Sequence, residues 1–472
     1  MADLCRELPS RGWDTVLGLT RGARFHLPDV YRAVHQDLPT VEVDGTFGTR
    51  AARVRSLKDV IRKTSPDVVL SMRVFDAYEA VSQLKATDLC SAPRLIAGIR
   101  AFESPYISDL RRCHANIDFC ATSGNLIAEA CCRFGHMEPE RVDSIGGGIS
   151  QPVAEIGPRT VTSRVRLLYA GRLEQAQKRV FDLIEFVQCL MMAKIDFHLD
   201  VCGSGPDEST VIRGLQPQID AGRVTIHGWV SQDDLYSRFY PTADCFIHFA
   251  AWEGITISPR EAMSHGVVPI ISEFTGLHAE KQFLNGINAL TFPVGRPDLA
   301  ADRIKTLMSN PGLYEKLSRA ARLSQAGRYS FDGAIDAWRD LLNRCLALPA
   351  KSGPFPSVPE RLTGRLSRLG VPLPIQIWAR RLLNKPIAYS DPGSEWPTAS
   401  GLMTVQEEQE IAAFGKAFED EQKLSTSPHQ TEFPAESPAK TPATNETACN
   451  RNVQILPAIV DTGLHQRNPT SR

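Results

Sequence analysis

The sequence lacks most of the features that would classify it quickly. Its eleven cysteines are scattered through 472 residues with none in a C-x-x-C pair, and the adjacent Cys131 and Cys132 have no Cys or His companions at zinc spacing. That argues against a disulfide framework or a structural zinc, and a reducing cytosol is the expected compartment. No apolar run approaches the roughly 18–20 residues needed to span a bilayer, and the start has no charged segment leading into an apolar one, so no secretory signal is expected. An excess of charge of one sign is missing too. Lys and Arg number 53 against 54 Asp and Glu, a net charge of −1, and there is no basic arm or RNA-binding motif. A general attraction for nucleic acid is therefore not expected.

What is present is an ordinary globular composition, 42% hydrophobic and 23% charged, on a chain too long for one core. Short β-rich apolar runs alternate with amphipathic helical stretches up to about residue 347. In the first half Asp14–Leu19, Asp67–Met72, Arg94–Ile99, Phe119–Ala121 and Val142–Ile145 read as strands, with helices at Arg53–Lys63 and Asn125–Phe134. After a polar linker, Gly157–Ser163, the pattern restarts with strands at Val165–Ala170, Phe197–Cys202, Val224–His227, Cys245–Phe249 and Val268–Ile271. This alternation predicts an α/β protein with two parallel, Rossmann-like sheets and a ligand cleft at the carboxyl ends of the strands. The expected divisions are a first domain over 1–156, a second over 164–330, an amphipathic helix over 331–347, and a tail over 350–472. The tail is rich in Pro, Ser, Thr, Glu and Gln from Asp391 onward and is expected to be largely disordered, with one short helix at Val405–Gln422. The stretch Arg361–Leu383, bearing Trp378, is the part of it expected to dock on the fold.

One element is missing from the first half. A doubly wound domain normally opens on a central strand followed by a Gly-rich turn and a helix. Here a helix-like Ala2–Arg11 comes first, so two alternatives stand: the start is placed late, or the first sheet lacks a strand.

Chemistry concentrates in the second half. Glu253 and Glu261 stand eight positions apart, the first in the loop after the strand Cys245–Phe249 and the second in a helix whose first turn holds Pro259. Carboxylates bind sugar hydroxyls strongly, and N–H groups at a helix start suit phosphate. Alone, such a pair is more often two solvated glutamates. Arg172 and Lys178 follow the strand Val165–Ala170, where two cations could clamp a diphosphate and neutralise a leaving group. The plain alternative is an exposed surface pair. Gly203 and Gly205 form a Gly-rich turn after another strand, and Gly228 and Gly276 stand in further strand-end loops.

Together these segments resemble glycosyltransferase family 4, the retaining GT-B transferases. The resemblance runs over roughly residues 164–347 through Tyr169-Ala170-Gly171-Arg172, Lys178, Gly203-Ser204-Gly205-Pro206, Gly228-Trp229-Val230, Glu253-Gly254, Glu261-Ala262-Met263, Thr275-Gly276, Glu280 and Asn285–Leu290. It implies a GT-B fold whose last helix crosses back to the first domain. It further implies that Arg172 and Lys178 hold the donor diphosphate and replace a metal, so that neither metal nor cofactor is needed. Glu253 would bind hydroxyls of the transferred sugar, with the backbone of Gly254, Ile255, Thr256 and Ile257 beside sugar and phosphate. Glu261 would bind the ribose, and Gly171, Gly203, Gly205 and Gly228 would line the donor site. Many members carry a His in the acceptor domain near the donor sugar, and Arg100 stands at the corresponding strand end. A sugar or phosphate contact and a structural ion pair are equal alternatives for it.

The expected activity is transfer of a hexose-type sugar from a nucleotide-diphosphate sugar to a glycan or lipid-linked acceptor, in polysaccharide biosynthesis. The competing readings are a non-catalytic nucleotide-sugar-binding scaffold with a degenerate acceptor domain and, last, a nucleotide-sugar epimerase. A cytoplasmic protein, peripheral at the inner face of the membrane, fits lipid-linked acceptors. The basic cluster Arg50, Arg53, Arg55, Lys58, Arg62 and Lys63 is the segment that could meet anionic headgroups. A solvated helix face is favoured over that reading by roughly three to one.

Overall fold

The computed structural model describes residues 1–21, 28–45, 49–72, 74–150, 152, 163–254, 256–326, 329–358, 371, 373–383, 396, 399–425 and 451–457. They build two parallel sheets. The first contains β1 (Trp13–Arg21), β2 (Thr40–Asp44), β3 (Val68–Met72), β4 (Arg94–Ile99), β5 (Phe119–Thr122) and β6 (Val142–Ser144). The second contains β7 (Val165–Ala170), β8 (Phe197–Cys202), β9 (Val224–Gly228), β10 (Cys245–His248), β11 (Val268–Ser272) and β12 (Leu290–Phe292). Its order, β9-β8-β7-β10-β11-β12, is the doubly wound arrangement in which the first strand is central and the order reverses beside it.

The first sheet reaches the same arrangement by another route. Its order is β2-β1-β13-β3-β4-β5-β6, and β13 is Arg451–Pro457, which begins 379 positions after the end of β3 (451 − 72) and 430 after the end of β1 (451 − 21). β13 lies parallel to both neighbours, with Trp13–Leu17 opposite Arg451–Ile455 and Val68–Met72 opposite Val453–Pro457. It occupies the central place that a doubly wound sheet gives to its first strand. The expectation of a sheet short of one strand is thereby corrected. Residues 1–156 do lack the strand, and the chain supplies it from the tail. The expectation of a largely disordered tail fails at the same place, because Val453 and Ile455 are buried against Trp13, Leu17, Leu70 and Ile96. Burial of such side chains contributes about 1.5–3 kcal/mol each, and both edges of β13 satisfy their backbone groups in the sheet. Composition averaged over the tail hides a seven-residue strand of this kind, in which Val453, Ile455 and Leu456 stand among polar residues.

Two helices join the halves. Phe331–Ala347, capped by Ser330 accepting from the Gly333 N–H, buries Ile335, Trp338, Leu341, Leu342 and Cys345 against Leu4, Leu8, Trp13 and Phe119 of the first domain. Val405–Ser425, in the tail, packs Ile411 and Phe414 against Ile107, Leu126 and Ala130 of the first domain and Ala279 of the second. Its Glu419 accepts from the His278 and Ala279 N–H groups at 2.6 and 3.3 Å, which fixes it to the second domain. No helix among the described residues is long and apolar enough to cross a membrane.

Candidate functional site at the domain cleft

The carboxyl ends of β7, β8 and β10 bring the sequence-nominated residues to one side of the second sheet. After β7 the chain makes a loop and a short helix, Gln175–Lys178, whose start is capped by Glu174 accepting from the Ala176 and Gln177 N–H groups. The helix stops at Arg179, which is left-handed at φ +50°. This one turn aims Lys178 at the loop after β10, where its Nζ meets Glu253 Oε1 at 2.5 Å. Arg172 is reached through Gln177. Its guanidinium donates to Gln177 Oε1 at 3.1 Å, and Gln177 Nε2 donates to the Trp252 carbonyl at 3.1 Å and to Glu253 Oε2 at 3.4 Å. Arg172 itself is more than half exposed. The structure therefore joins Lys178 and Glu253 directly and Arg172 through one amide.

Beneath the pair lies His248, the last residue of β10, a residue that motif spacing did not single out. It is buried, and its Nε2 stands 3.5 Å from Glu253 Oε1, outside hydrogen-bond geometry, so the interaction is electrostatic. Burial lowers the His248 pKa, Glu253 opposes that and Lys178 adds to it, so the ring is neutral near pH 7. For Glu253 burial works upward, but the proximity of His248 and the charge of Lys178 outweigh it and hold the carboxyl below its ordinary range. The result is an ionised, largely desolvated carboxylate beside an ammonium group. Such an arrangement strengthens charge interactions with a ligand.

Glu261 belongs to a second cluster. It lies in the helix Ser258–Ser264, which has Pro259 in its first turn, and accepts from Tyr240 Oη at 2.8 Å and Gln232 Nε2 at 2.7 Å. Burial raises its pKa against those hydrogen bonds. The segment between the two glutamates presents Gly254, the buried Thr256, whose hydroxyl has no partner among the described residues, and the partly exposed Ile257. Ile255 lies outside the described residues.

The glycines are explained by backbone proximity. A Cβ on Gly203, which has φ +148°, would lie 1.9 Å from the Gly171 carbonyl, and one on Gly205 would lie 2.2 Å from the Leu173 carbonyl. The loops after β7 and β8 interlock through Gly171 N–H to Cys202 O and Leu173 N–H to Ser204 O, while Gly228, at φ +68°, accepts from the Gly203 N–H. These contacts hold the Arg172 loop in place whether or not the same glycines touch a ligand.

The first domain closes over this surface. A Cβ on Gly254 would sit 2.7 Å from the Arg100 carbonyl, and Arg260 donates to the Gly147 carbonyl at 2.9 Å. Arg100 follows β4 and donates to the Thr122 and Ile145 carbonyls at 3.3 and 2.9 Å. Burial pulls its pKa down to about 10, and no carboxylate among the described residues lies at ion-pair distance. A structural ion pair, one of the two alternatives for Arg100, is thus absent among those residues. Glu280 crosses the seam in the other direction. It accepts from the Leu126 N–H at the start of the helix Asn125–Arg133, and burial raises its pKa to about 7 against those backbone hydrogen bonds. Glu280 and Arg260 stand in the motif segments, but their position at the domain seam depends on how the domains pack.

Comparison with known proteins follows the same division. The family described as Glycosyl transferases group 1 matches residues 158–324, the second domain. No curated protein matches the chain in sequence. Among solved structures, the fold resembles the lipopolysaccharide outer core galactosyltransferase WaaB in its apo form. That match has 15% identity and a TM-score of 0.55 and covers 70% of this chain and 99% of that one. It also resembles Anabaena HepE in complex with UDP and glucose, at 15% identity and a TM-score of 0.55, covering 72% and 95%. Sucrose-phosphate synthase from Thermosynechococcus elongatus matches at 17% identity and a TM-score of 0.57, covering 73% and 92%. The architecture is the two-domain GT-B fold.

Proposed function

We propose that the protein is a glycosyltransferase that moves a hexose-type sugar, with retained stereochemistry, from a nucleotide-diphosphate sugar to a glycan or lipid-linked acceptor. The observation that carries the reading is the pair of half-buried Lys178 and buried Glu253 in the segments that follow β7 and β10, inside the stretch that matches the glycosyl transferases. Lys178 and Arg172 hold the diphosphate and offset the charge that builds as the sugar leaves. They supply the positive charge that a metal would otherwise bring, so turnover should persist in a chelator. Glu253, kept ionised and dry by its neighbours, binds hydroxyls of the transferred sugar. Thr256 offers a buried hydroxyl with no partner among the described residues, and the loop 254–257 lies against sugar and phosphate. Glu261 binds the ribose, at the cost of exchanging its bonds to Tyr240 and Gln232. Arg100, with no counter-charge among the described residues, faces the donor from the other domain. UDP in HepE makes a uridine donor the first to try.

The scaffold reading drew on an incomplete first sheet, and β13 removes that motive. A thermal-shift screen of nucleotide sugars tests the binding step. A ligand at 100 times its Kd stabilises the folded state by about 2.7 kcal/mol. If none of them moves the melting temperature, the donor assignment fails. If they bind but Lys178→Ala and Glu253→Gln turn over like the native protein, the role assignment fails.

A further inference from the structure

The seam between the domains is held at two places. At one the chain itself crosses. Ile149 pairs with Ser330 in a parallel bridge, Gly148 lies against the Phe331 backbone, and Arg260 donates to the Gly147 carbonyl. At the other the contacts join groups far apart in the chain, through the short helix Leu277–Glu280 of the second domain. Its Glu280 accepts from the Leu126 N–H, and the Ala279 carbonyl accepts from the Asn125 side chain. The loop after β10 stretches between the two places. Gly254 faces the Arg100 carbonyl and the Ser123 hydroxyl, and three residues on Ile257 packs on Gly147. A molecule entering between these surfaces has to part the domains. The crossing at 149–330 acts as the hinge, so the second place is the one that opens.

The helix Val405–Ser425 lies across that second place, and its two halves are built differently. The first half is bound to the first domain through apolar surface and a charged pair. Ile411 and Phe414 are buried against Ile107, Leu126 and Ala130, the Phe414 ring meets Phe134 edge-on at 5.2 Å, and Gly415 leaves room for the Phe102 ring. Arg112 donates to the two oxygens of Glu407 at 3.0 and 2.8 Å and to the Leu402 carbonyl at 3.1 Å. The second half reaches the second domain with polar groups. Glu419 accepts from the His278 and Ala279 N–H groups, and Lys423 pairs with Glu273 at 2.5 Å. Ala279 is the single buried apolar residue of the second domain in this cluster among the described residues. Apolar burial persists in salt, whereas an exposed ion pair is screened and contributes little. The joint with the second domain is therefore the one that yields first.

What Glu419 holds is tied to the candidate site. Thr275, two residues before the short helix, accepts from the Glu253 N–H at 3.2 Å and donates to the Ala251 carbonyl at 3.0 Å. We infer that the helix Val405–Ser425 is a strap across the domain seam. Anchored on the first domain, it holds the second domain closed through Glu419 and Lys423, and the cleft opens when that polar joint lets go. This does not depend on sugar transfer, and its test needs no ligand.

Full-length Glu419→Ala/Lys423→Ala is compared with the native chain by amide hydrogen exchange and small-angle X-ray scattering. Exchange at Leu126 should be at least about tenfold faster, because opening no longer breaks the bonds of Glu419. The strands β7 and β8 should keep their protection, and the radius of gyration should rise. Asp420→Ala/Glu421→Ala, exposed on the same helix, should match the native chain in both measurements. Unchanged exchange and scattering in Glu419→Ala/Lys423→Ala overturn the inference. So does faster exchange throughout both sheets, since the helix would then be part of the fold and not a strap. Release of residues 407–414 from the first domain ahead of the second-domain joint would overturn it as well.

Discussion

The two sheets have the same layout and opposite histories in the chain. In the second domain every strand from β7 to β12 follows the last in sequence, and the central strand comes first. In the first domain the central place is filled by β13, whose Val453 stands opposite Thr15 although 438 positions separate them in the chain (453 − 15 = 438). A doubly wound sheet needs a strand in that place, because an empty one would leave the facing edges of β1 and β3 with unpaired backbone groups in the core. It does not need that strand to be local. The comparison teaches that the layout is set by packing and hydrogen bonding, and that sequence order is one of several ways to meet it.

Ending the chain at residue 450 should break the comparison most severely. The first sheet loses ladder bonds on both sides of β13 along with the burial of Val453 and Ile455. Calorimetry should then show the first domain melting separately and well below the second. A truncated chain that melts as one unit at the native temperature would show β13 to be dispensable. Within the second domain, Lys178→Ala should lower turnover by about 10²–10³-fold, as removal of a charge-stabilising group does, with little change in melting. Steady-state rates with a nucleotide sugar read this directly.

A smaller effect is expected at the interlocked loops. Gly203→Ala places a methyl group against the Gly171 carbonyl in a left-handed backbone, and about 1–3 kcal/mol of stability should be lost. Denaturant unfolding measures it, and a neutral result would mean the loops can part. The smallest effect is at the domain seam. Because the Glu280 pKa is raised to about 7 in the fold, the folded state holds its proton where the unfolded chain has lost it. Stability from this group is therefore greatest at acid pH and falls as pH rises toward 7. Glu280→Gln should flatten that decline, visible as a melting temperature that changes less than the native one between about pH 5 and 7.

Legibility in the sequence followed locality. The interlocking glycines, Lys178 and Glu253 were readable because each sits at the end of a strand whose apolar run is continuous and whose neighbours follow at regular spacing. His248 was not, since a histidine closing a buried strand looks like any core histidine until Glu253 is brought to 3.5 Å. The basic helix Arg50–Thr64 was only partly legible for the same reason. Charge spacing shows that cations are present, but the fold decides that Arg53 is buried against Asp76 and Arg50 paired with Glu79, while Arg55, Arg62 and Lys63 stay on the solvated face.

From its sequence alone the protein was determined to be a two-sheet α/β chain with a donor-type second domain, because alternating apolar periodicity and strand-end loops are local properties. Tertiary structure alone decided which strand sits at the centre of the first sheet and which carboxylate pairs with Lys178. Each of those depends on burial and hydrogen-bond partners far apart in the chain, and no local pattern encodes them.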